Sequence, residues 1–241
     1  MKLFALSDLH LSLSAPHLPG GADEPCLYKP MEKFGRLWAD YFRRLEDSWR
    51  EKVAPEDAVL IAGDVSWGLT LDDALFDLAY IEALPGKKIL VKGNHDYWWT
   101  TVKKMTEFLD ENGVTTLKFL HNNSYVRGGV NLCGTRGWLY NQPTELDKKV
   151  FNRELMRLEA SLSSAEEGKE RVAFLHYPPV FSGTACTEIA DLLAKYGVKR
   201  CYFGHIHVRD SEFRDGFVHN GVEYRLVSSI CADFRPVKVA D

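Results

Sequence analysis

Long apolar runs are missing from this 241-residue sequence: no stretch approaches the ~20 apolar residues that a membrane span needs. The amino-terminal run Leu3-Phe4-Ala5-Leu6 stops at Ser7-Asp8, too short for the apolar centre of a secretory signal. Paired cysteine motifs are missing too. Cys26, Cys133, Cys186, Cys201 and Cys231 are odd in number and widely spaced, with no Cys-x-x-Cys among them. That excludes a zinc knuckle or a disulfide framework and points to isolated thiols in a reducing compartment. The glycosylation-like triplet Asn122-Asn123-Ser124 is then accidental. Surplus positive charge is also absent. The net charge is −4, which offers no electrostatic footprint for nucleic acid or an anionic membrane surface. Repeats and low-complexity segments do not occur. A cytoplasmic, soluble protein is expected, with residues 1–241 forming one domain around a sizeable core.

What is present is an alternation of short apolar runs with helical periodicity. Leu3 to Leu6, Ala58 to Ala62, Lys88 to Val91, Val172 to Leu175 and Cys201 to Phe203 read as buried strands bounded by Gly, Asp, Asn or His. Further strands are expected at Thr116 to Leu120, Ser124 to Arg127, Val130 to Cys133 and Tyr224 to Ser228, with Gly128-Gly129 as a hairpin turn. The stripe Phe34, Leu37, Trp38, Tyr41, Phe42, Leu45 and Trp49 predicts one helix. Its mixed flanking charges favour docking on a sheet over a membrane-surface or partner-binding face. Other helices are expected over Leu71 to Leu84, Thr100 to Asn112, Thr144 to Ser163 and Glu188 to Tyr196, with Gly113 and Gly197 as carboxyl caps. Strands alternating with helices imply a sheet covered by helices, and the later hairpin implies a second sheet packed on the first. Leu11 to Lys29 is a long polar loop, read equally as a lid or a plain surface excursion.

Metal-ligand residue types cluster at the ends of those strands. They fall in Asp8-Leu9-His10, Gly63-Asp64, Gly93-Asn94-His95-Asp96, Leu175-His176-Tyr177 and Gly204-His205-Ile206-His207, which hold five of the eight histidines. In open α/β sheets, sites lie beyond the carboxyl ends of the strands, where all five segments fall. Asp8 and His10 leave on one face if the chain stays extended, as do His205 and His207. Two divalent cations ~4 Å apart repel by roughly 17 kcal/mol even at an effective dielectric of ~20, so an anion must lie between them. Asp64, helped by a bridging hydroxide, is the natural bridge. Imidazoles and carboxylates without thiolate suit Mn, Fe or Zn better than Mg or Ca.

The order Asp-x-His, Gly-Asp, Gly-Asn-His-Asp, His, Gly-His-x-His resembles the calcineurin-like metallophosphoesterase superfamily, from Asp8 to His207, with every signature position filled. The resemblance implies an α/β fold, a four-layer α/β/β/α sandwich of two mixed sheets flanked by helices. It implies two divalent or trivalent metal ions: one held by Asp8, His10, Asp64 and His207, the other by Asp64, Asn94, His176 and His205. It implies that His95 is not a ligand but stabilises the transition state or protonates the leaving group, oriented by Asp96. The implied reaction is hydrolysis of a phosphomonoester or phosphodiester by a metal-bridging hydroxide. In Gly63-Asp64-Val65-Ser66-Trp67-Gly68 the chain departs from many relatives, which carry another acid soon after the Gly-Asp; the nearby Asp72 and Asp73 receive no role.

The expected substrate is a small phosphorylated molecule, a nucleotide or a phosphoprotein. A nuclease of the same superfamily is disfavoured by the acidic net charge. A non-catalytic metal-binding scaffold is disfavoured because such proteins lose ligands or the catalytic histidine, and here none is lost. Tyr97, Trp98 and Trp99 either stack on a ligand or, the better reading, pack in the core. Asp96 is also placed to cap the segment after it. Arg136 either clamps a phosphate or pairs with a surface acid. His17, His121 and His219 are expected to be solvated.

Overall fold

The computed structural model of the chain describes residues 1–138 and 144–241. Its first sheet contains β1 (Leu3–Leu6), β2 (Ala58–Ala62), β3 (Lys87–Val91) and β4 (Lys118–Phe119), all parallel, with β13 (Val237–Ala240) antiparallel along β1. The second sheet has four parallel inner strands: β6 (Val130–Thr135), β7 (Arg171–Leu175), β10 (Arg200–Phe203) and β12 (Val222–Leu226). β5 (Tyr125–Arg127) and β11 (Phe217–His219) are its antiparallel edges. A small separate hairpin joins β8 (Val180–Phe181) to β9 (Thr184–Ala185).

Side-chain alternation along the strands builds the layers. Leu3 and Ala5 of β1, and Ala58, Leu60 and Ala62 of β2, face Leu132, Val172, Phe174 and Tyr202 across the gap between the sheets. Phe4, Leu6, Val59 and Ile61 point the other way. There they meet α1 (Tyr41–Lys52), α2 (Leu71–Ala83) and α3 (Val102–Glu111) through Leu45, Trp49, Leu78, Ile81 and Leu109. On the far side, Cys133, Ala173, Leu175, Cys201 and Phe203 pack on α4 (Glu145–Ser163) and α5 (Thr187–Lys195) through Phe151, Leu158, Leu162, Ile189 and Leu193. The result is the expected four-layer α/β/β/α sandwich of two mixed sheets. Both strand faces are buried, which is why these strands read as continuous apolar runs. A short α6 (Ser211–Asp215) follows the last histidine segment.

Several boundaries differ from the sequence reading. The stripe from Phe34 to Trp49 is not one helix. Gly35, at φ 131°, separates two short 3-10 turns, Met31–Phe34 and Arg36–Trp38, and α1 starts only after Asp40 in a left-handed conformation. Phe34 and Leu37 thereby leave the buried face and become exposed. The strand expected at Thr116 to Leu120 shrinks to two residues, and that at Tyr224 to Ser228 begins two residues earlier. Both residues of Gly128-Gly129 have positive φ, as a type I′ hairpin requires. Asn220-Gly221, with φ 48° and 74°, makes the same turn between β11 and β12. The helices α2 and α4 each begin with a capping box, Thr70 with Asp73 and Thr144 with Asp147, which gives Asp73 a structural role.

The loop after β1 is anchored rather than loose. Leu11 pairs with Ser66 and Leu13 with Leu27, and farther out Gly20 donates to Glu46 on α1. All five cysteines are free, four of them buried and Cys26 exposed. No helix among the described residues is long and apolar enough to cross a membrane.

Candidate metal centre

Parallel strands send their carboxyl ends to one edge, so the loops after β1, β2, β3, β7 and β10 converge. The chain is not extended there. Asp8, His10, Asp64 and His205 all hold positive φ, at 58°, 49°, 53° and 71°. Such conformations cost about 1–3 kcal/mol each in a non-glycine residue and persist only where the surroundings enforce them. The enforcement is visible: Asp8 N donates to Gly63 O, and His10 N to Asp64 O, so the first two loops run locked together. The expectation that extended backbone aligns Asp8 with His10 is therefore corrected. Gly93 is required by close approach, since a Cβ there would overlap the Asp64 carboxylate and amide.

All seven sequence-expected ligand residues come together, in two clusters. Asp8, His10 and His207 form one; Asp64, His176 and His205 form the other. Asn94 Oδ1 joins the second, 2.7 Å from His176 Nε2 and 2.9 Å from His205 Nδ1. In the first, His207 Nε2 lies 3.2 Å from Asp8 Oδ1 and 3.3 Å from His10 Nε2. Asp64 links the two. Its Oδ1 accepts the His95 amide at 2.8 Å, which leaves Oδ2 facing His10 Nε2 at 3.8 Å and His176 Nε2 at 3.5 Å.

Metal ions fit this arrangement. Ligand atoms ~2.1 Å from a shared tetrahedral ion lie about 3.4 Å apart, close to the separations observed. His176 Nδ1 lies 3.0 Å from Ala62 O. Donation to that carbonyl puts the proton on Nδ1, so a bare Nε2 lone pair faces Asn94 Oδ1, a contact that calls for a cation between them. Burial drives His10, His176 and His205 below the ordinary imidazole value, His205 to about 4, leaving neutral rings as metal ligation needs. The carboxylates make the same point. Burial opposes ionisation of Asp8, yet its hydrogen bond with His207, a ring whose own affinity for a proton is raised, holds it low. Asp64 is pushed to about 9 by burial and by the charges of Asp8 and Asp96. Two buried carboxylates this close do not both ionise without added positive charge.

The two remaining residues of the Gly-Asn-His-Asp segment part company. His95 is half-buried, with its ring 4.5 Å from that of Trp67 and 5.7 Å from that of His10, and its Nδ1 has no partner. The Asp96 carboxylate does not bond that ring. It accepts from the amides of Gly93, Asp64, Val65 and Ser66 and from Trp98 Nε1. Asp96 therefore ties the loop after β2 to the loop after β3, and it fixes the backbone of the candidate ligand segments rather than an imidazole tautomer.

Other expectations sort as follows. Trp98 and Trp99 are core residues and Tyr97 is exposed. Arg136 faces the buried Glu154, at 3.9 Å, and its carbonyl accepts the amides of His176 and Tyr177. His219 is exposed, whereas His17 packs against Phe42 and Tyr80 and His121 is half-buried, contrary to expectation. Sequence reasoning missed Trp38 and Trp67. Trp67 stacks on His10 at 4.8 Å and Trp38 sets its edge against His10 and His207. The available signal was Trp67 itself, three residues after Asp64.

A family model described as calcineurin-like phosphoesterase matches residues 1–209. A gene 66 protein of a Mycobacterium phage is 43% identical over 63 residues, 25% of this chain and 31% of that protein. The chain thus spans about a third of that relative's length. Two solved structures share the fold. Phosphopantetheinyl hydrolase from Mycobacterium tuberculosis matches with TM-score 0.58 at 15% identity, over 99% of this chain and 95% of that one. A Thermus thermophilus protein matches with TM-score 0.51 at 10% identity, over 99% and 97%.

Proposed function

The chain belongs to the calcineurin-like phosphoesterase family, and we propose that it is a metal-dependent phosphohydrolase that cleaves a small phosphomonoester or phosphodiester at the centre just described. In this reading Asp8, His10, Asp64 and His207 hold one metal ion and Asp64, Asn94, His176 and His205 the other. The observation that carries it is the single Asp64 oxygen facing both clusters, the geometry of a bridging ligand. When bound, two such ions activate water and neutralise charge on the phosphoryl oxygens. Mn, Fe and Zn suit the donor set best.

The protein's own groups supply the rest. The His95 amide and the Asp96 carboxylate, through the backbone of residues 64–66, hold Asp64 in place, so little reorganisation accompanies reaction. The His95 ring stands beside the first cluster, where it would hydrogen-bond a departing alkoxide through Nε2 and pass it a proton, its Nδ1 being buried. Burial, with the Lys29 ammonium nearby, lowers its affinity for a proton. One metallophosphoesterase domain over residues 1–241 in a reducing cytoplasm completes the proposal, the free thiols supporting that compartment.

The test is release of p-nitrophenol from p-nitrophenyl phosphate and from its bis-ester, with Mn²⁺ and with a chelator. Metal-dependent release of either supports the proposal, and the preferred ester divides monoesterase from diesterase. A metal-loaded protein that turns over neither ester nor a panel of nucleotides would sink it in favour of a scaffold.

A further inference from the structure

We propose that the cleft walled by Phe34, Leu37, Trp38 and Trp67 is the leaving-group site and selects phosphoesters of flat aromatic alcohols. This rests on the phosphoesterase reading above and names its substrate class. The cleft, about 390 Å³, opens onto His10, His95 and His207, and no side chain of the second cluster lines it. A group leaving phosphorus past His95, the proton donor proposed above, therefore enters this space.

Phe34, Trp38 and Trp67 bring rings to the cleft, beside Met31, Arg36, Leu37 and Ile230. Phe34 and Trp67 are within 21° of parallel with centroids 6.5 Å apart. A planar ring sandwiched between two others needs about 7 Å, twice the ~3.5 Å contact distance. Because centroid separation bounds the gap between the planes from above, Phe34 must move by at least roughly half an ångström to admit it. Phe34 can give that much, standing 59% exposed on a 3-10 turn beside Gly35. Trp67 cannot, and need not. Its Nε1–H donates to Met31 Sδ at 3.3 Å while its ring lies on His10, so one face of the slot is already fixed. Lys29 holds its ammonium 3.0 Å from the Trp67 centroid and 5.8 Å from that of Phe34, at the end of a flexible four-carbon stem. An entering ring displaces it to the edge of the slot, keeping the stacking energy and a cation beside the ring.

Exposed carbon supports the assignment. Phe34 and the 40%-exposed Leu37 present apolar surface to water at the rim of a site whose substrate carries a charged phosphate. An apolar leaving group would cover that surface. The polar side chains of the cleft's lining are Arg36 and the three histidines, so it is the exposed apolar rim that favours a flat ring over a sugar or a peptide chain.

The experiment is calorimetric titration of the full, metal-loaded chain with methylphosphonate and with 2-naphthylmethylphosphonate, neither of which can be hydrolysed at the P–C bond. Beside it run kcat/KM measurements for glycerol phosphate and 2-naphthyl phosphate. The naphthyl analogue should bind at least ten-fold tighter, and Phe34→Ala should shrink that advantage about ten-fold. Leu37→Ala should shrink it less. Both positions are exposed, so the variants will fold. Equal affinity for the two analogues, or an advantage untouched by both variants, overturns the aromatic site. Turnover of both esters with no naphthyl preference in binding or KM rejects the site and spares the phosphoesterase reading. Tight naphthyl binding with no turnover of any ester rejects that reading and spares the site.

Discussion

Asp77 should make this protein less stable as pH rises from 4 to 7. It lies on α2, fully buried, with Oδ1 accepting the Leu13 amide at 2.8 Å and Oδ2 2.5 Å from Ser66 Oγ. It thus joins the loop after β1 to the loop after β2, both of which carry candidate ligand residues. Burial pushes its carboxyl up from the ordinary 3.8 to about 7, against the pull of those two hydrogen bonds. Because the folded value is raised, the native state keeps a proton that the unfolded chain has lost over this range. The contribution to stability is complete below about pH 4 and is lost as pH passes 7. At 1.36 kcal/mol per pH unit this amounts to about 4 kcal/mol. Asp77→Asn imitates the protonated acid, accepting from Leu13 N and donating to Ser66 Oγ. In urea unfolding of chelator-treated protein at pH 4, 5, 6, 7 and 8, wild type and variant should agree within about 1 kcal/mol at pH 4. The variant should pull ahead by several kcal/mol at pH 8, with m unchanged. Parallel pH profiles, or a variant weaker at every pH, would refute the neutral buried acid.

Three further substitutions probe the site. His95→Ala should keep both metals by elemental analysis yet lose about 10²- to 10⁴-fold in turnover, and loss of metal would make His95 a ligand instead. Asp96→Asn sets an NH₂ against amide donors that a carboxylate now accepts. It should cost about 3 kcal/mol or more in urea unfolding and release metal, whereas full metal occupancy with slowed turnover would restore a ring-orienting role. Gly93→Ala should leave the circular dichroism spectrum intact but empty the centre, because the new methyl lands on the Asp64 carboxylate. Retention of two metals there would disprove that packing constraint.

The candidate ligand loops were legible because each sets polar ligand types just after a local apolar run, three of the five with a glycine between, so one short segment carries both strand and site. The Gly128-Gly129 turn was legible for a similar reason, its chemistry being local. Asn220-Gly221 carried an equally local signal that was overlooked. The left-handed backbone of Asp8 and His10 was not legible. It is imposed by hydrogen bonds to Gly63 and Asp64, more than fifty residues away. Periodicity alone merged residues 34–49 into one helix, since Phe34 and Leu37 fit the stripe while Gly35 and Asp40 break the backbone. That merger concealed the aromatic cleft. Proximity in sequence likewise suggested that Asp96 serves His95, when its acceptor capacity is filled by amides from two loops.

The central claim is that Asp64 joins two metal sites. Metal content of the purified wild type and of Asp64→Ala, by plasma mass spectrometry after exchange into metal-free buffer, tests it most directly. Two ions per wild-type chain and close to none in the variant is the predicted result. One ion or none in the wild type, or two retained by the variant, would contradict it.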